Sequence, residues 1–144
     1  RVDGVLLAVH RGDGVVVSTA TGSTGYTLAL GAPVMDPASD DMLLKPIATH
    51  MSQFGGVVVG ANSVLELKLI SENPAILSCD GFQNAGLRDG QSARIALSPH
   101  RAKFLRRHPP AHFWETLSRR LGMRQGALPR RSQLRAASDT IDAL

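Results

Sequence analysis

The residues best suited to chemistry lie between Gly12 and Tyr26. They read Gly-Asp-Gly, a valine run, then Ser18-Thr19-Ala20-Thr21-Gly22-Ser23-Thr24-Gly25-Tyr26. Asp13 supplies a carboxylate that can accept hydrogen bonds from ribose hydroxyls or an amide. Gly22 and Gly25 lack Cβ and let a ligand come close to the backbone. A helix opening near Thr24 would aim N–H groups outward, which suits a phosphate. Tyr26 offers a ring for a base and a hydroxyl for a polar partner. The same residues also make ordinary structure, since Asp between glycines is a frequent turn and Thr-Gly-Ser-Thr a capped helix start. No Lys follows the glycines, so the run is not a P-loop.

Other reactive side chains carry weaker signals. His10, His50, His100, His108 and His112 form no close pair at metal-ligand spacing. His50 reads first as a structural histidine and second as a ligand contact. Cys79, the only cysteine, falls in an apolar run and reads as a buried packing residue. Asp40-Asp41 reads as a solvated turn, and no serine shows a clear His and Asp partnership.

Short apolar runs separated by turn residues must hold these groups. Gly4–Val9, Gly14–Ser18, Met42–Ile47, Gly56–Val59, Val64–Ile70, Ala75–Cys79 and Ala93–Ser98 each have strand length. Gly12-Asp13-Gly14, Ala61-Asn62-Ser63, Glu72-Asn73-Pro74, Asp80-Gly81 and Asp89-Gly90 supply turns. The spacing predicts a mainly β fold, a two-sheet sandwich-like body with one or two short helices. One helix should follow Pro109-Pro110, carry Phe113, Trp114, Leu117 and Leu121 on a packed stripe, and end at Gly122. A shorter one should run from Ser23 or Thr24 to Leu30, where Gly31, Ala32 and Pro33 stop it.

Composition narrows the class. A chain of 144 residues, 43% hydrophobic and 4% aromatic, suits one domain. No run reaches the roughly 18–20 apolar residues of a spanning helix, and a single cysteine excludes a disulfide framework. The sequence starts at Arg1 with no signal-like segment, so it reads as a cytoplasmic domain cut from something longer. Residues 1–99 carry six cations and nine anions, whereas residues 100–144 carry ten and three. Phe104, Phe113 and Trp114, which interleave the arginines, read as core residues. A solvated basic face therefore outweighs nucleic-acid binding, although a polyanion-binding module stays open. Residues 127–144 have little apolar surface and read as a basic, disordered tail after a domain over 1–126.

The order of these motifs resembles the C-terminal half of the NAD kinases, the inorganic polyphosphate/ATP-NAD kinase family. In that family an aspartate-glycine pair and a hydrophobic strand precede Ser-Thr-Pro-Thr-Gly-Ser-Thr-Ala-Tyr. Here the likeness continues through Gly31-Ala32-Pro33, Lys45-Pro46-Ile47-Ala48-Thr49-His50, Ser78-Cys79-Asp80-Gly81, His108-Pro109 and Phe113-Trp114-Glu115-Thr116-Leu117. The resemblance implies a β-rich domain that holds NAD, with Asp13 on the nicotinamide end and Arg11 nearby. It places Thr24, Gly25, Tyr26 and Ala29 along the site, Ala48 against a base across a subunit interface, and Asp80, Gly81 and Phe82 on a further substrate-facing turn. Ala20 replaces the family's Pro and should loosen the loop, and Phe82 brings no hydrogen bond.

The family's Gly-Gly-Asp-Gly-Thr motif, with its catalytic aspartate, does not occur in this sequence. The resemblance therefore implies no catalytic residue here. The full-length enzyme would phosphorylate the adenosine 2′-hydroxyl of NAD from ATP or polyphosphate with Mg²⁺, as a homo-oligomer (dimer or tetramer), and this piece alone would be inactive. A lipid kinase of diacylglycerol or sphingosine type would share the architecture, but the Thr-Gly-Ser-Thr-Gly-Tyr run favours the dinucleotide.

Overall fold

The computed structural model describes residues 1–49 and 55–122. It is mainly β, built from small sandwich-like sheets, as the turn-punctuated sequence predicts. Two compact units divide the chain, one over Arg1–Arg101 and one from Ala102 onward. His50 and the basic tail after Gly126 lie outside the described residues.

In the first unit, β1 (Gly14–Thr19), β2 (Met42–Ile47) and β3 (Val57–Val59) form an antiparallel sheet with β2 in the middle. The register pairs Gly14 with Ile47 and Thr19 with Met42. Successive β2 side chains leave opposite faces. Met42 and Leu44 enter a cluster with Val59 and Leu65, while Leu43 joins Ala20, Ala32 and Met35. Burial on both faces explains why β2 reads as a continuous apolar run. Pro46 fits because β3 pairs only with Met42, Leu43 and Leu44, so no β3 carbonyl needs the missing N–H.

A second sheet joins β4 (Leu65–Lys68) to β7 (Ser92–Ile95), and a lone hairpin joins β5 (Ala75–Cys79) to β6 (Gln83–Leu87). Strand β7 stops at Ile95, short of the expected Ser98, because Ile95 pairs with Leu65, the first residue of β4. The run Gly4–Val9 forms no strand. Val5 makes one antiparallel bridge with Val2, and Leu6–Val9 stay exposed without a ladder.

Cys79 is exposed, not buried: among the described residues the β5–β6 hairpin has no third strand in its sheet. Asp40 is exposed, as expected of a solvated residue, and it accepts a hydrogen bond from Arg101, which holds its carboxyl below the ordinary carboxylate value.

Ala20 is buried in its loop. It is 5% exposed within the Ala32, Met35 and Leu43 cluster, with φ −52° and ψ −39°. That φ lies in the range proline fixes, and the preceding Thr19 is in a strand, as a residue before proline prefers. Ala20→Pro is therefore expected to stabilise the first unit by about 0.5 kcal/mol, through a less free unfolded chain. Urea denaturation reads the change, and a loss of stability would show that the ring does not fit beside Met35.

The second unit carries α2 (His112–Arg120), opened after Pro109-Pro110 as expected. Its first turn closes with the His112 N–H donating to Pro109 O at 3.0 Å. Phe113 and Leu117 are half-buried, but Phe104 is 70% exposed and Trp114 is also exposed. The expectation that all three aromatics are core residues fails for these two. Among the described residues this unit has one helix, which offers no second apolar layer to close over them.

Candidate functional site

Strand β1 separates two clusters of the sequence-selected residues. Arg11 and Asp13 precede it, and Thr24, Gly25, Tyr26 and Ala29 follow it. Six strand residues span about 17 Å from end to end. That separation suits the two halves of an extended dinucleotide better than a single base.

At the first end, the Asp13 N–H donates to Ile47 O at 3.0 Å. Gly12 is wedged beside the same corner: a Cβ there would lie 2.5 Å from Ile47 O and 3.1 Å from Ala48 O. Ala48 turns the corner with φ 47°, a left-handed conformation that an alanine holds only against strain. Arg11, Asp13 and Ala48 are thereby gathered on one exposed corner, although Ala48 lies 35 positions after Asp13 in the sequence. Arg11 and Asp13 also line a cavity of about 670 Å³ that reaches Leu67–Ala75. None of the other selected residues lines that cavity.

At the second end, Thr21–Thr24 form a 3-10 turn that leads through Gly25 into α1 (Tyr26–Ala29). The outward phosphate cradle expected here does not form as a helix N-terminus. Helix α1 has four residues, and the Ser23 and Gly25 N–H groups already donate to Ala20 O and Gly22 O. Gly22 serves the fold first, since a Cβ there would meet Ser18 Cβ at 2.9 Å.

Two hydroxyls that sequence reasoning passed over hold the segment in place. Ser23, fully buried, donates from Oγ to Ala20 O at 2.7 Å and accepts from the Met35 N–H at 3.0 Å. Thr27, 1% exposed, donates from Oγ1 to Gly22 O at 2.8 Å. With these two turned inward, Thr24, Gly25, Tyr26 and Ala29 are left exposed, Tyr26 by 61%.

Asp80 and Gly81 form the tip of the β5–β6 hairpin, with φ 49° and 77°. Both values belong to a type I′ turn, for which Asp-Gly is a favoured pair. The Phe82 N–H closes it onto Cys79 O at 3.0 Å, and the Phe82 ring stands 92% exposed. Among the described residues no three His, Cys, Asp or Glu side chains group as metal ligands, and no helix is long and apolar enough to cross a membrane.

The family model for the ATP-NAD kinase C-terminal domain matches residues 1–107. This chain belongs to that family. An NAD kinase of Dehalococcoides mccartyi is 38% identical over 112 residues, which are 78% of this chain and 39% of the relative. An NAD kinase of Chloroflexus aurantiacus is 38% identical over 120 residues, 83% of this chain and 44% of that protein. The chain thus spans about two-fifths of the length of these NAD kinases. Among solved structures, an Archaeoglobus fulgidus NAD kinase in complex with ATP superposes with a TM-score of 0.61 at 34% identity, covering 69% of this chain and 38% of the other. Yeast NADH kinase complexed with NADH gives 0.71 at 21% identity over 91% of this chain and 41% of its own, a likeness of fold.

Proposed function

We propose that this NAD kinase C-terminal domain holds the dinucleotide substrate along β1. The observation that carries the reading is the clamp of the Asp13 turn onto the Ile47-Ala48 corner. It fixes a carboxylate, the Arg11 cation and a small, strained alanine on one exposed surface, with the Tyr26 segment one strand length away. Asp13 accepts hydrogen bonds at the nicotinamide end, with Arg11 beside it. Thr24, Gly25, Tyr26 and Ala29 take the adenosine and ribose region, Ala48 lies against a base, and Asp80, Gly81 and Phe82 form a further wall.

The relatives crystallised with ATP and with NADH support nucleotide binding by the whole protein. In the reaction proposed for that protein, the terminal phosphoryl group of ATP or polyphosphate passes to the adenosine 2′-hydroxyl of NAD. Such transfers depend on positioning and charge stabilisation. This chain's part is to bind and orient the acceptor. The full-length protein works as a cytoplasmic homo-oligomer in this reading.

Asp13→Asn and Tyr26→Ala in the full-length enzyme are each expected to raise the KM for NAD by about tenfold or more, about 1.4 kcal/mol of binding. The KM for the phosphoryl donor should stay within about twofold. Steady-state kinetics with each substrate varied decides it, and an unchanged KM for NAD in both variants removes the site assignment.

A further inference from the structure

Ser18 brings a hydroxyl into an apolar place. On β1 it lies opposite Leu43, and antiparallel partners share a face of the sheet. Leu43 is fully buried there with Ala20, Ala32 and Met35. Among the described residues, Ser18 Oγ is the one buried side-chain oxygen or nitrogen that meets no hydrogen-bond partner. A buried hydroxyl left in that state costs stability, so it needs a reason to be there.

The segment lying on Ser18 is the 3-10 turn Thr21–Thr24. A Cβ on Gly22 would meet Ser18 Cβ at 2.9 Å and Ser18 Oγ at 3.6 Å, so backbone rests directly on the serine. The turn's own ladder begins with the Ser23 N–H donating to Ala20 O. The N–H groups of Thr21 and Gly22 precede that first rung and have no carbonyl to reach within the turn. Ala20, the N-cap, has no side-chain oxygen to accept them. Gly22 is held through its carbonyl, which accepts from the Gly25 N–H at 2.9 Å and from Thr27 Oγ1 at 2.8 Å.

We infer that Ser18 is a positioning residue for the dinucleotide, its hydroxyl accepting the Gly22 N–H once substrate engages the turn's outer face. The inference rests on the placement of the adenosine and ribose region along Thr24, Gly25 and Tyr26 proposed above. Contacts made there press the turn onto β1 and carry the Gly22 N–H to the serine oxygen. The serine itself needs only a rotation about χ1 to meet it. The substrate thus gains a hydrogen bond that the ligand-free protein does not make, which favours the closed turn. Ser23 and Thr27 are bonded already without ligand and fix the segment, whereas Ser18 acts when it closes.

Ser18→Ala in the full-length enzyme separates this role from a structural one by opposite signs. Without NAD, the variant's Tm should rise by about 2 °C, since alanine removes a buried group that has no partner. Its dissociation constant for NAD, read by calorimetry, should nevertheless rise about fivefold. Amide hydrogen exchange reads the bond itself. Saturating NAD should slow Gly22 about tenfold in the unsubstituted enzyme and leave it unchanged in Ser18→Ala. A lower Tm without NAD overturns the inference, because the hydroxyl would then already serve the fold, through a buried water for example. Unchanged NAD affinity, or Gly22 protection that survives Ser18→Ala, overturns it as well. Tyr26→Ala, measured alongside, tells this failure from that of the site. Weaker NAD binding in Tyr26→Ala but not in Ser18→Ala removes the serine's role alone, and unchanged binding in both removes the placement on which it rests.

Discussion

Ser23→Ala is expected to cost about 2 kcal/mol of stability, measured by urea denaturation of the chain. The Ser23 hydroxyl is fully buried and serves two backbone groups at once, accepting from the Met35 N–H and donating to Ala20 O. Alanine leaves the Met35 N–H without a partner in an apolar cluster, whereas Ala20 O keeps the Ser23 N–H as a donor; one unsatisfied buried group costs about 1–3 kcal/mol. The Thr27 hydroxyl makes one bond, to Gly22 O. Thr27→Ala should therefore cost about 1 kcal/mol. The contrast separates the two-bond bracket from a general effect of removing hydroxyls. Equal losses for the two variants would mean that the Met35 amide finds another acceptor. The same bracket sets which residues of the segment remain exposed, so Ser23→Ala should also weaken dinucleotide binding by the full-length protein although Ser23 itself is out of a ligand's reach.

The hydroxyl-rich run shows how far sequence alone carries the site. Its residue types suit a nucleotide, and Thr24 and Tyr26 are indeed presented outward. What the sequence hides is that two of the hydroxyls are consumed by the backbone. That depends on Met35, which arrives through a loop after α1. The Asp13 turn was legible as Gly-Asp-Gly, but its clamp is a contact with Ile47 and Ala48, and nothing local in either segment announces the other.

Strands divide along the same line. The alternating Leu65, Leu67 and Leu69 read directly as β4, and the Val-rich β1 follows from propensity. Strand β6, Gln-Asn-Ala-Gly-Leu, has weak strand formers and exists because the Asp80-Gly81 turn delivers it to β5. Conversely Gly4–Val9 has strand composition but lacks a strand neighbour beyond Val5, and propensity without pairing gives no ladder. Local chemistry was legible wherever a turn or alternation wrote it, and pairing was not.

Gly12→Val should be the most disruptive single change at the proposed dinucleotide surface. Gly12 does not need its glycine for a left-handed conformation; it needs the space. A Cβ at this position would meet three backbone atoms, Ile47 O at 2.5 Å, Ala48 O at 3.1 Å and the Ala48 carbonyl carbon at 3.3 Å. Backbone cannot rotate aside as a side chain can, so the turn must lift and the Asp13 N–H must leave Ile47 O. Overpacking of this kind costs about 1–3 kcal/mol. Gly14, two residues on, provides the control. A Cβ there meets only the Ile47 Cδ1 methyl at 3.6 Å, so Gly14→Ala should shift stability by no more than about 0.5 kcal/mol. In the full-length enzyme Gly12→Val should raise the dissociation constant for NAD by about tenfold or more, read by calorimetry, because Asp13 and Ala48 no longer share one corner. Loss of stability with unchanged NAD affinity would separate the clamp from binding and leave Asp13 without the support that the reading gives it.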